Sequence, residues 1–421
     1  MFRSTFVLRL TVSGLAIIAA PILASDGGES PHWARFRGPN GTGLASGEGI
    51  PSQWSEKDVN WKVKLPGVGH AQPVIWGDRI FMRAASEDGT KRFFFCSSVK
   101  DGATEWTHEY DAVADEIHEL NSYASSTPAL DAERVYLVYG TSAAGWIKAY
   151  THAGDLVWTT DLGAFKTVHG PGSSPIVFRD SVIYAKDVKA DSFLAAFDCK
   201  SGDERWRIPR ENALSSYSTP CVYQPPSGNP QLFFNSKARG ITAVDALVGK
   251  VIWEAKVLER RAVSSPVIGP GVVVATTGSG HGGNYLAAVK LGGVGDVTET
   301  HLAYKITQAA PYVPTPVIRG DRMFLWNRMG IVSCAKVQDG EIVWRERVGG
   351  NYYGSPICLD ERLFCVSNGG EVVVVAASNE FKVLGRTALD EVCNSTPAVA
   401  GGRLYVRTLE HLTSVGRKDL P

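Results

Sequence analysis

The sequence of 421 residues lacks the cysteine and histidine arrangements that mark common cofactor sites. No two of its seven cysteines are adjacent and none forms a Cys-x-x-Cys pair, which removes the spacing of a c-type haem attachment. The nine histidines include no His-x-x-x-His pair and no cluster with metal-ligand spacing. We therefore expect free, buried thiols and no metal site.

An excess of charge of either sign is also absent, with 43 basic and 43 acidic residues. A chain without a basic surplus gives no reason to expect nucleic acid or an anionic membrane surface as a partner. A locally basic patch stays open.

Long apolar runs are confined to the N-terminus, where Arg3 and Arg9 precede an interrupted run from Leu10 to Leu23. This pattern predicts a signal peptide over residues 1–24, cleaved after Ala24, and a periplasmic or secreted chain without a transmembrane span. An uncleaved anchor is the alternative, although the run is short for a span of about 20 residues. No cysteine near Ala24 offers a lipid attachment site.

What the sequence does contain is one unit repeated eight times, in which a proline opens an apolar run, a polar turn and a second apolar run. The starts lie 40 to 55 residues apart, at Pro73, Pro128, Pro175, Pro220, Pro266, Pro316, Pro356 and Pro397. A tight polar turn between alternating apolar runs predicts a hairpin, and proline is tolerated at the first residue of a strand.

A second signature, glycine followed four residues later by tryptophan, recurs towards the end of five units and gives each unit about four strands. A period of this length with four strands is typical of a β-propeller blade. We expect the tryptophans of this signature to pack between blades as structural residues: Trp106, Trp158, Trp206, Trp253 and Trp344. In the seventh unit, which lacks the tryptophan, Phe381 is the candidate replacement.

These patterns predict an all-β fold, an eight-bladed β-propeller of four-stranded antiparallel blades over residues 59–416. The eighth unit is too short for its outer strand, so residues 59–64 are predicted to supply that strand and close the ring. Residues 25–58 carry Trp33, Phe36 and Trp54 and are expected to pack on the propeller in irregular form, while residues 417–421 form a tail.

The connections that enter the innermost strands surround one mouth of the central channel, where a ligand or partner can bind. The candidate binding residues on these connections are His70, Tyr123, His169, Tyr217, Arg260, Tyr312, Tyr352 and Asn394. The alternative is that they seal the channel end. No catalytic residues can be selected, and the Gly278–Gly283 segment, although it matches Gly-x-Gly-x-x-Gly, is expected to be a hairpin loop.

The units at 195–206 and 243–253 resemble the repeat of the pyrroloquinoline quinone (PQQ)-type propellers, and the segments at 33–41 and 403–412 resemble those of exported PQQ-like proteins of planctomycete-type bacteria. One branch of this family comprises quinoprotein dehydrogenases, which hold PQQ and calcium over the channel. Another resembles BamB, a scaffold of outer-membrane protein assembly that binds partner proteins without a cofactor.

Because the chain lacks adjacent cysteines, a haem motif and a recognisable calcium set, the resemblance favours the second branch. We therefore expect a monomeric, non-catalytic scaffold that binds an envelope protein or peptide, or a small polar ligand, without a cofactor. A PQQ- and calcium-dependent dehydrogenase, or another carbohydrate-active enzyme on the same fold, is the alternative.

Overall fold

The computed structural model describes residues 30–167, 169–211 and 214–419. The strands in these ranges form eight separate sheets, which are the blades of an all-β propeller, so the predicted fold class is confirmed. The predicted signal peptide lies outside the described residues. Within those ranges, no helix is long and apolar enough to cross a membrane.

Each blade is built from consecutive strands that run outward from the central channel. Blade 1 comprises Val74–Trp76, Arg79–Ala85, Lys91–Ser98 and Thr104–Asp111, and blade 2 comprises Ala129–Leu130, Arg134–Gly140, Gly145–Thr151 and Leu156–Asp161. Blade 3 comprises Ile176–Phe178, Ser181–Lys186, Ser192–Asp198 and Glu204–Arg210, and blade 4 comprises Cys221–Tyr223, Gln231–Ser236, Gly240–Asp245 and Lys250–Ala255. Blade 5 comprises Val267–Gly269, Val272–Thr277, Tyr285–Lys290 and Leu302–Ile306, and blade 6 comprises Val317–Arg319, Arg322–Trp326, Ile331–Lys336 and Ile342–Arg347. Blade 7 comprises Ile357–Leu359, Arg362–Val366, Glu371–Ala376 and Val383–Ala388, and blade 8 comprises Ala398–Ala400, Arg403–Arg407, His411–Gly416 and Val59–Lys64.

The ring is closed by strand Val59–Lys64, which pairs antiparallel with His411–Gly416 and completes blade 8. This confirms the predicted closure by an N-terminal strand. Antiparallel pairing across the junction places Trp61 opposite Ser414 and leaves no unpaired outer edge on the third strand of blade 8.

Three blades have a fifth strand, which the prediction of four-stranded blades did not include. His32–Trp33 pairs with the innermost strand of blade 1, and Leu44–Ala45 pairs in parallel with the innermost strand of blade 7. Gly295–Asp296, from the long connection inside blade 5, pairs in parallel with the outermost strand of blade 4. Open sheet edges accept such strands because their backbone groups lack partners. The short helical segments are Pro39–Gly41, Glu56–Asp58 and Thr298–His301.

The two faces of the ring carry different connections. The connections between blades and the loops between second and third strands lie on one side, which we call the entry face, because every innermost strand begins there. The first and last hairpin turns of each blade lie on the opposite face. This alternation follows from antiparallel strand order alone.

A ring of hydrogen bonds links neighbouring blades where the innermost strands begin. The residue before a blade-opening proline donates its backbone N–H to the side-chain hydroxyl of the corresponding residue in the next blade, at 2.9–3.1 Å. The bonded pairs are Gln72–Thr127, Thr127–Ser174, Thr219–Ser265, Ser265–Thr315, Thr315–Ser355 and Ser355–Thr396. A buried N–H needs such a partner, which explains why serine or threonine precedes these prolines.

Two arginines make a second type of link between blades. Arg407 in blade 8 donates to the carbonyls of Ala71 and Arg83, and Arg83 in blade 1 donates to the carbonyls of Ser126 and Val138. Both arginines stand ten residues after a blade-opening proline, and their acceptors occupy corresponding positions in the next blade. The same link therefore joins blade 8 to blade 1 and blade 1 to blade 2.

The tryptophans of the outer strands pack against the next blade. The rings of Trp61, Trp106, Trp158 and Trp206 lie against Gly102, Gly154, Gly202 and Gly249, where a Cβ would approach ring atoms to 3.0 Å or less. Indole N–H groups also donate across the boundary, as Trp158 does to the Cys199 carbonyl at 3.0 Å. Trp253 is fully buried beside the added strand Gly295–Asp296, and Trp344 packs against Phe381 of blade 7.

Phe381 does not replace the missing tryptophan of blade 7, so that expectation is wrong. The equivalent position is Gly385, which pairs with Val374 just before the bulge that the other blades have at their tryptophan. The N-terminal segment crosses the blade here, and a Cβ on Gly385 would lie 2.2 Å from the Ser52 carbonyl oxygen. The backbone of Ser52 therefore leaves no room for a side chain.

Residues 30–45 enter the channel from the opposite face, turn near Pro39–Gly41 and leave along blade 7; we call this segment the channel plug. Its descending strand, Leu44–Ala45, lies along the innermost strand of blade 7. Asn40 makes two hydrogen bonds with the backbone of Val222 in blade 4, and the Arg35 guanidinium donates to the Pro220 carbonyl. The plug thus contacts innermost strands on both sides of the channel.

Arg37 is the centre of the plug and is fully buried. Its five guanidinium N–H groups meet five carbonyl oxygens at 2.7–3.1 Å, those of Gly41, Thr42, Thr315, Pro316 and Pro356. A guanidinium has five donors in a planar fork and no acceptor, so this arrangement uses its full capacity. Burial lowers the pKa of Arg37 to about 9.

Close packing inside the plug requires glycine at two positions. Gly38 has φ 64°, and a Cβ there would lie 2.6 Å from the Trp33 ring. Gly43 has φ 72°, and a Cβ would lie 2.7 Å from the Arg37 guanidinium. Both positions combine left-handed backbone with lack of space, so only glycine fits.

Replacing Arg37 with methionine tests the importance of the plug. The substitution keeps an apolar stem of similar length but leaves the five carbonyls without donors, so we expect the free energy of unfolding to fall by about 3–5 kcal/mol. Urea unfolding measures this loss. The matched control is Arg79→Met, on the partly exposed side chain that pairs with Glu105, which we expect to cost under about 1 kcal/mol. Equal stability of the two variants would contradict the role given to Arg37.

Candidate functional site

The eight candidate residues for the channel mouth divide into three groups in the structure. His169, Tyr217 and Tyr312 belong to one cluster, and His70 lies beside Asn394. The remaining three candidates lie outside both groups: Tyr123, Arg260 and Tyr352. Whether any of these residues binds a ligand stays a prediction.

The first group joins His118 and Arg261 to form what we call the mouth cluster: His118, His169, Tyr217, Arg261 and Tyr312. Arg261 Nη1 lies 2.6 Å from His169 Nε2. The rings of His118 and His169 meet edge to face, with 4.9 Å between their centres. The centre of the Tyr217 ring lies 6.4 Å from the centre of the His169 ring. Burial is the main cause that raises the pKa of Tyr217, and Tyr312 adds to this effect, which indicates that Tyr312 lies near. The connections before blades 2, 3, 4, 5 and 6 supply these residues.

The contact with Arg261 determines the protonation of His169. A guanidinium only donates, so Nε2 accepts and the imidazole is neutral with its proton on Nδ1. Burial, followed by the positive charges of Arg261 and His118, lowers the pKa of His169. The cluster therefore presents the cation of Arg261 beside a neutral His169 imidazole.

Two donors in the mouth cluster lack a hydrogen-bond partner. The Tyr217 hydroxyl, although near Ser215, makes no hydrogen bond of good geometry with a described residue, and the same holds for Arg261 Nε. Burial is the main cause that raises the pKa of Tyr217 to about 12, so its hydroxyl keeps its proton at neutral pH. Unpartnered buried donors favour a ligand rich in hydrogen-bond acceptors.

The second group brings His70 next to Asn394, with 3.4 Å between His70 Nε2 and Asn394 Nδ2. Burial and the neighbouring Arg407 guanidinium lower the pKa of His70 to about 4. His70 belongs to the connection before blade 1 and Asn394 to the connection before blade 8, so this pair spans the closure of the ring.

Three candidates do not join either group. The Arg92 guanidinium lies 4.4 Å from the centre of the Tyr123 ring, and the Tyr123 hydroxyl donates to the Asp115 carbonyl. Arg260 extends to Ser279 in a loop of blade 5. Tyr352 is fully buried against Trp326.

Sequence reasoning places Arg260 and Arg261 together on one connection but selects Arg260 as the candidate, and it does not select His118. Arg261 directly follows Arg260, and adjacent residues point in different directions, so sequence could not decide between them. His118 lies on the long connection between blades 1 and 2, which reaches His169 by folding over the entry face; Asn121 of the same connection donates to the His169 carbonyl. The length of that connection was the available signal.

The donor set does not fit a calcium-bound quinone. Calcium takes six to eight oxygen ligands, chiefly from carboxylates, amides and carbonyls. The mouth cluster instead offers imidazoles, phenols and a guanidinium that repels cations. Among the described residues, no group of three or more His, Cys, Asp or Glu side chains is arranged to hold a metal ion.

The low pKa of His70 predicts a pH-dependent stability. An unfolded histidine takes up its proton near pH 6.5, whereas folded His70 does so near pH 4, so the free energy of unfolding falls as the pH drops through this window. Between pH 7 and pH 5 we expect a loss of about 2 kcal/mol from this group. Urea unfolding of the parent and of His70→Gln checks this, since the variant should lose that part of the slope. An identical slope in both proteins would contradict the burial of a neutral His70.

Comparison with known proteins agrees with the propeller architecture. The structure of BamB from Moraxella catarrhalis has a TM-score of 0.59 and 16% identity, over 88% of this chain and 98% of that one. A quinohemoprotein alcohol dehydrogenase from Comamonas testosteroni has a TM-score of 0.65 and 12% identity, over 94% of this chain and 82% of that one. The computationally designed Ika8 protein has a TM-score of 0.59 and 8% identity, over 86% and 100%. At these identities the likeness concerns the fold alone.

No curated protein matches the sequence. A family model does match, over residues 101–311 and 307–380, and its description is outer membrane protein assembly factor BamB, with a PQQ-like repeat. The two segments together span well over half of the 421 residues. The chain therefore belongs to the BamB-like family of PQQ-type β-propellers.

Proposed function

We propose that this chain is an exported, non-catalytic propeller that binds a protein or peptide of the cell envelope through the mouth cluster. It acts as a monomer in the periplasm or outside the cell and uses no cofactor. The BamB-like family and the signal-like N-terminus support the location and the kind of partner.

The observation that carries this proposal is a pair of donors on the entry face, the Tyr217 hydroxyl and Arg261 Nε, which make no hydrogen bond of good geometry with the described residues. A polypeptide offers the complementary acceptors, which are backbone carbonyls and carboxylates. Tyrosine and arginine also provide large contact areas together with hydrogen bonds, and both are enriched among residues that dominate binding energy at interfaces. The plug enters the channel from the opposite face and extends to Arg37 at the start of the innermost strands, and the connections of the entry face remain as the place for these contacts.

The chemistry of the cluster supports binding rather than catalysis. Two imidazoles of the cluster could serve as a general base, but His169 Nε2 is engaged by Arg261 and His118 Nδ1 accepts a hydrogen bond from the Leu120 N–H. A quinone-dependent dehydrogenase or a carbohydrate-active enzyme is the competing function. For a quinone-dependent dehydrogenase, the mouth lacks a suitable set of ligand atoms. No observation on the described surface favours a carbohydrate-active enzyme.

Substitution of both unpartnered donors tests the proposal. In Tyr217→Phe/Arg261→Met the rings and stems remain but the donors are lost, so we expect at least about tenfold less partner to be retained from an envelope extract of the source bacterium. Chemical crosslinking and mass spectrometry identify and quantify that partner. The matched control on the same face is Arg260→Met/Tyr353→Phe, which should retain the partner as the parent does.

Equal retention by the parent and the Tyr217→Phe/Arg261→Met variant would contradict binding through the mouth cluster. Tight stoichiometric binding of PQQ with calcium, together with alcohol- or sugar-dependent dye reduction by the purified protein, would support the competing function.

A further inference from the structure

A cleft separates blades 3 and 4 near the entry face. It has a volume of about 260 Å³. Its apolar walls come from Leu194, Ile208 and Pro209 of blade 3 and Val251 of blade 4. The remaining lining residues are polar: Arg210, Arg239, Thr242 and Glu254.

The cleft exists because small side chains occupy this end of the boundary between the two blades. Towards the opposite face, Trp206 fills the same boundary by packing on Gly249. Near the entry face, the facing residues of blade 4 include Ser236 and Thr242. Blades diverge outward, so a boundary lined by small residues leaves space.

Three buried polar atoms of residues that line the cleft have no hydrogen-bond partner of good geometry among the described residues: Arg210 Nε, Arg210 Nη1 and the Thr242 hydroxyl oxygen. Arg210 is 7% exposed; Nε lies 3.3 Å from Asp187 Oδ1 and Nη2 donates to Ser236 Oγ, but Nη1 is unpartnered. Thr242 is 2% exposed, and its hydroxyl is also unpartnered. Each such group costs about 1–3 kcal/mol of unfolding free energy unless water or a ligand meets it.

We propose that this cleft binds a small amphipathic carboxylate. Its carboxylate accepts hydrogen bonds from Arg210 Nη1 and the Thr242 hydroxyl, while its apolar body covers the walls formed by Leu194, Ile208, Pro209 and Val251. A phosphate group alone would leave those walls exposed, and a hydrocarbon would leave both donors unmet.

Arg239 at the opening supplies the remaining attraction for a negative charge. Its side chain is 43% exposed, and Nη1 lies 3.4 Å from Glu254 Oε2. A pair this exposed contributes little to stability, so Arg239 can turn towards the ligand at small cost. The charge of Arg210 is balanced by Asp187 in the free protein, so the site does not depend on an unneutralised cation.

Calorimetric titration with benzoate tests the proposal, with benzamide as the neutral probe of the same shape. We expect benzoate to bind with a dissociation constant of about 1 mM or lower, at least about tenfold tighter than benzamide. In Thr242→Val a methyl group replaces a hydroxyl that has no hydrogen-bond partner among the described residues, so this variant should fold normally and bind benzoate at least about fivefold more weakly.

Val251→Trp fills the cleft and should abolish binding, whereas Leu156→Trp, at the corresponding position of blade 2, should bind as the parent does. The proposal is overturned if benzoate does not bind at about 10 mM, if benzamide binds equally well, or if Thr242→Val and Val251→Trp both bind with the parent's affinity.

Discussion

The innermost strands impose the constraint on which this structure depends. Except in blades 1 and 7, where the plug adds a strand, each of them has only one neighbouring strand, so backbone groups on the other side face the channel, where few partners are available. The hydrogen bonds from backbone N–H groups to the hydroxyls of the residues before the blade-opening prolines form what we call the hydroxyl ring. This ring satisfies the N–H groups at the start of six of these strands. The channel plug satisfies carbonyls, five of them through Arg37. Together the hydroxyl ring and the plug give hydrogen-bond partners to backbone groups along the inner edges of the blades.

The same constraint determines where the protein can present binding chemistry. The plug occupies the channel from the opposite face, and the donors of the mouth cluster that lack partners among the described residues lie on the entry face. There the connections between blades differ in length and sequence, whereas the strands repeat. The mouth cluster combines residues from several connections because a closed ring brings their ends together, and His118 reaches it through the longest of them.

Much of the fold could be predicted from the sequence because each blade is specified locally. The proline, the polar turn and the tryptophan recur at similar spacing, and the missing outer strand of the eighth unit predicts the closing strand 59–64. The serine or threonine before every blade-opening proline except Pro73 was also visible, although its role was not. Its partner lies in the next blade, and no local pattern reveals a hydrogen bond between residues 40 or more positions apart.

The plug and the site could not be predicted with the same detail. Arg37 lies in a glycine-rich segment that resembles a linker, and three of its five acceptors are more than 270 positions away. The assignment of Phe381 was wrong because the backbone of Ser52, distant in sequence, occupies the space beside Gly385. At the mouth, the position of a residue along a connection does not determine where its side chain points. The Tyr352 side chain is therefore buried, whereas the Arg261 side chain reaches the mouth cluster.

The hydroxyl ring is the central claim, and the free energy of unfolding of Thr315→Val tests it most directly. Valine has nearly the shape of threonine, so the change removes the acceptor of the Ser265 N–H and little else. We expect a loss of about 1–3 kcal/mol, measured by urea unfolding, whereas Thr315→Ser, which keeps the hydroxyl, should lose less than about 1 kcal/mol. If the valine variant is as stable as the parent, or if the serine variant loses more than the valine variant, the hydroxyl ring does not hold the blades together.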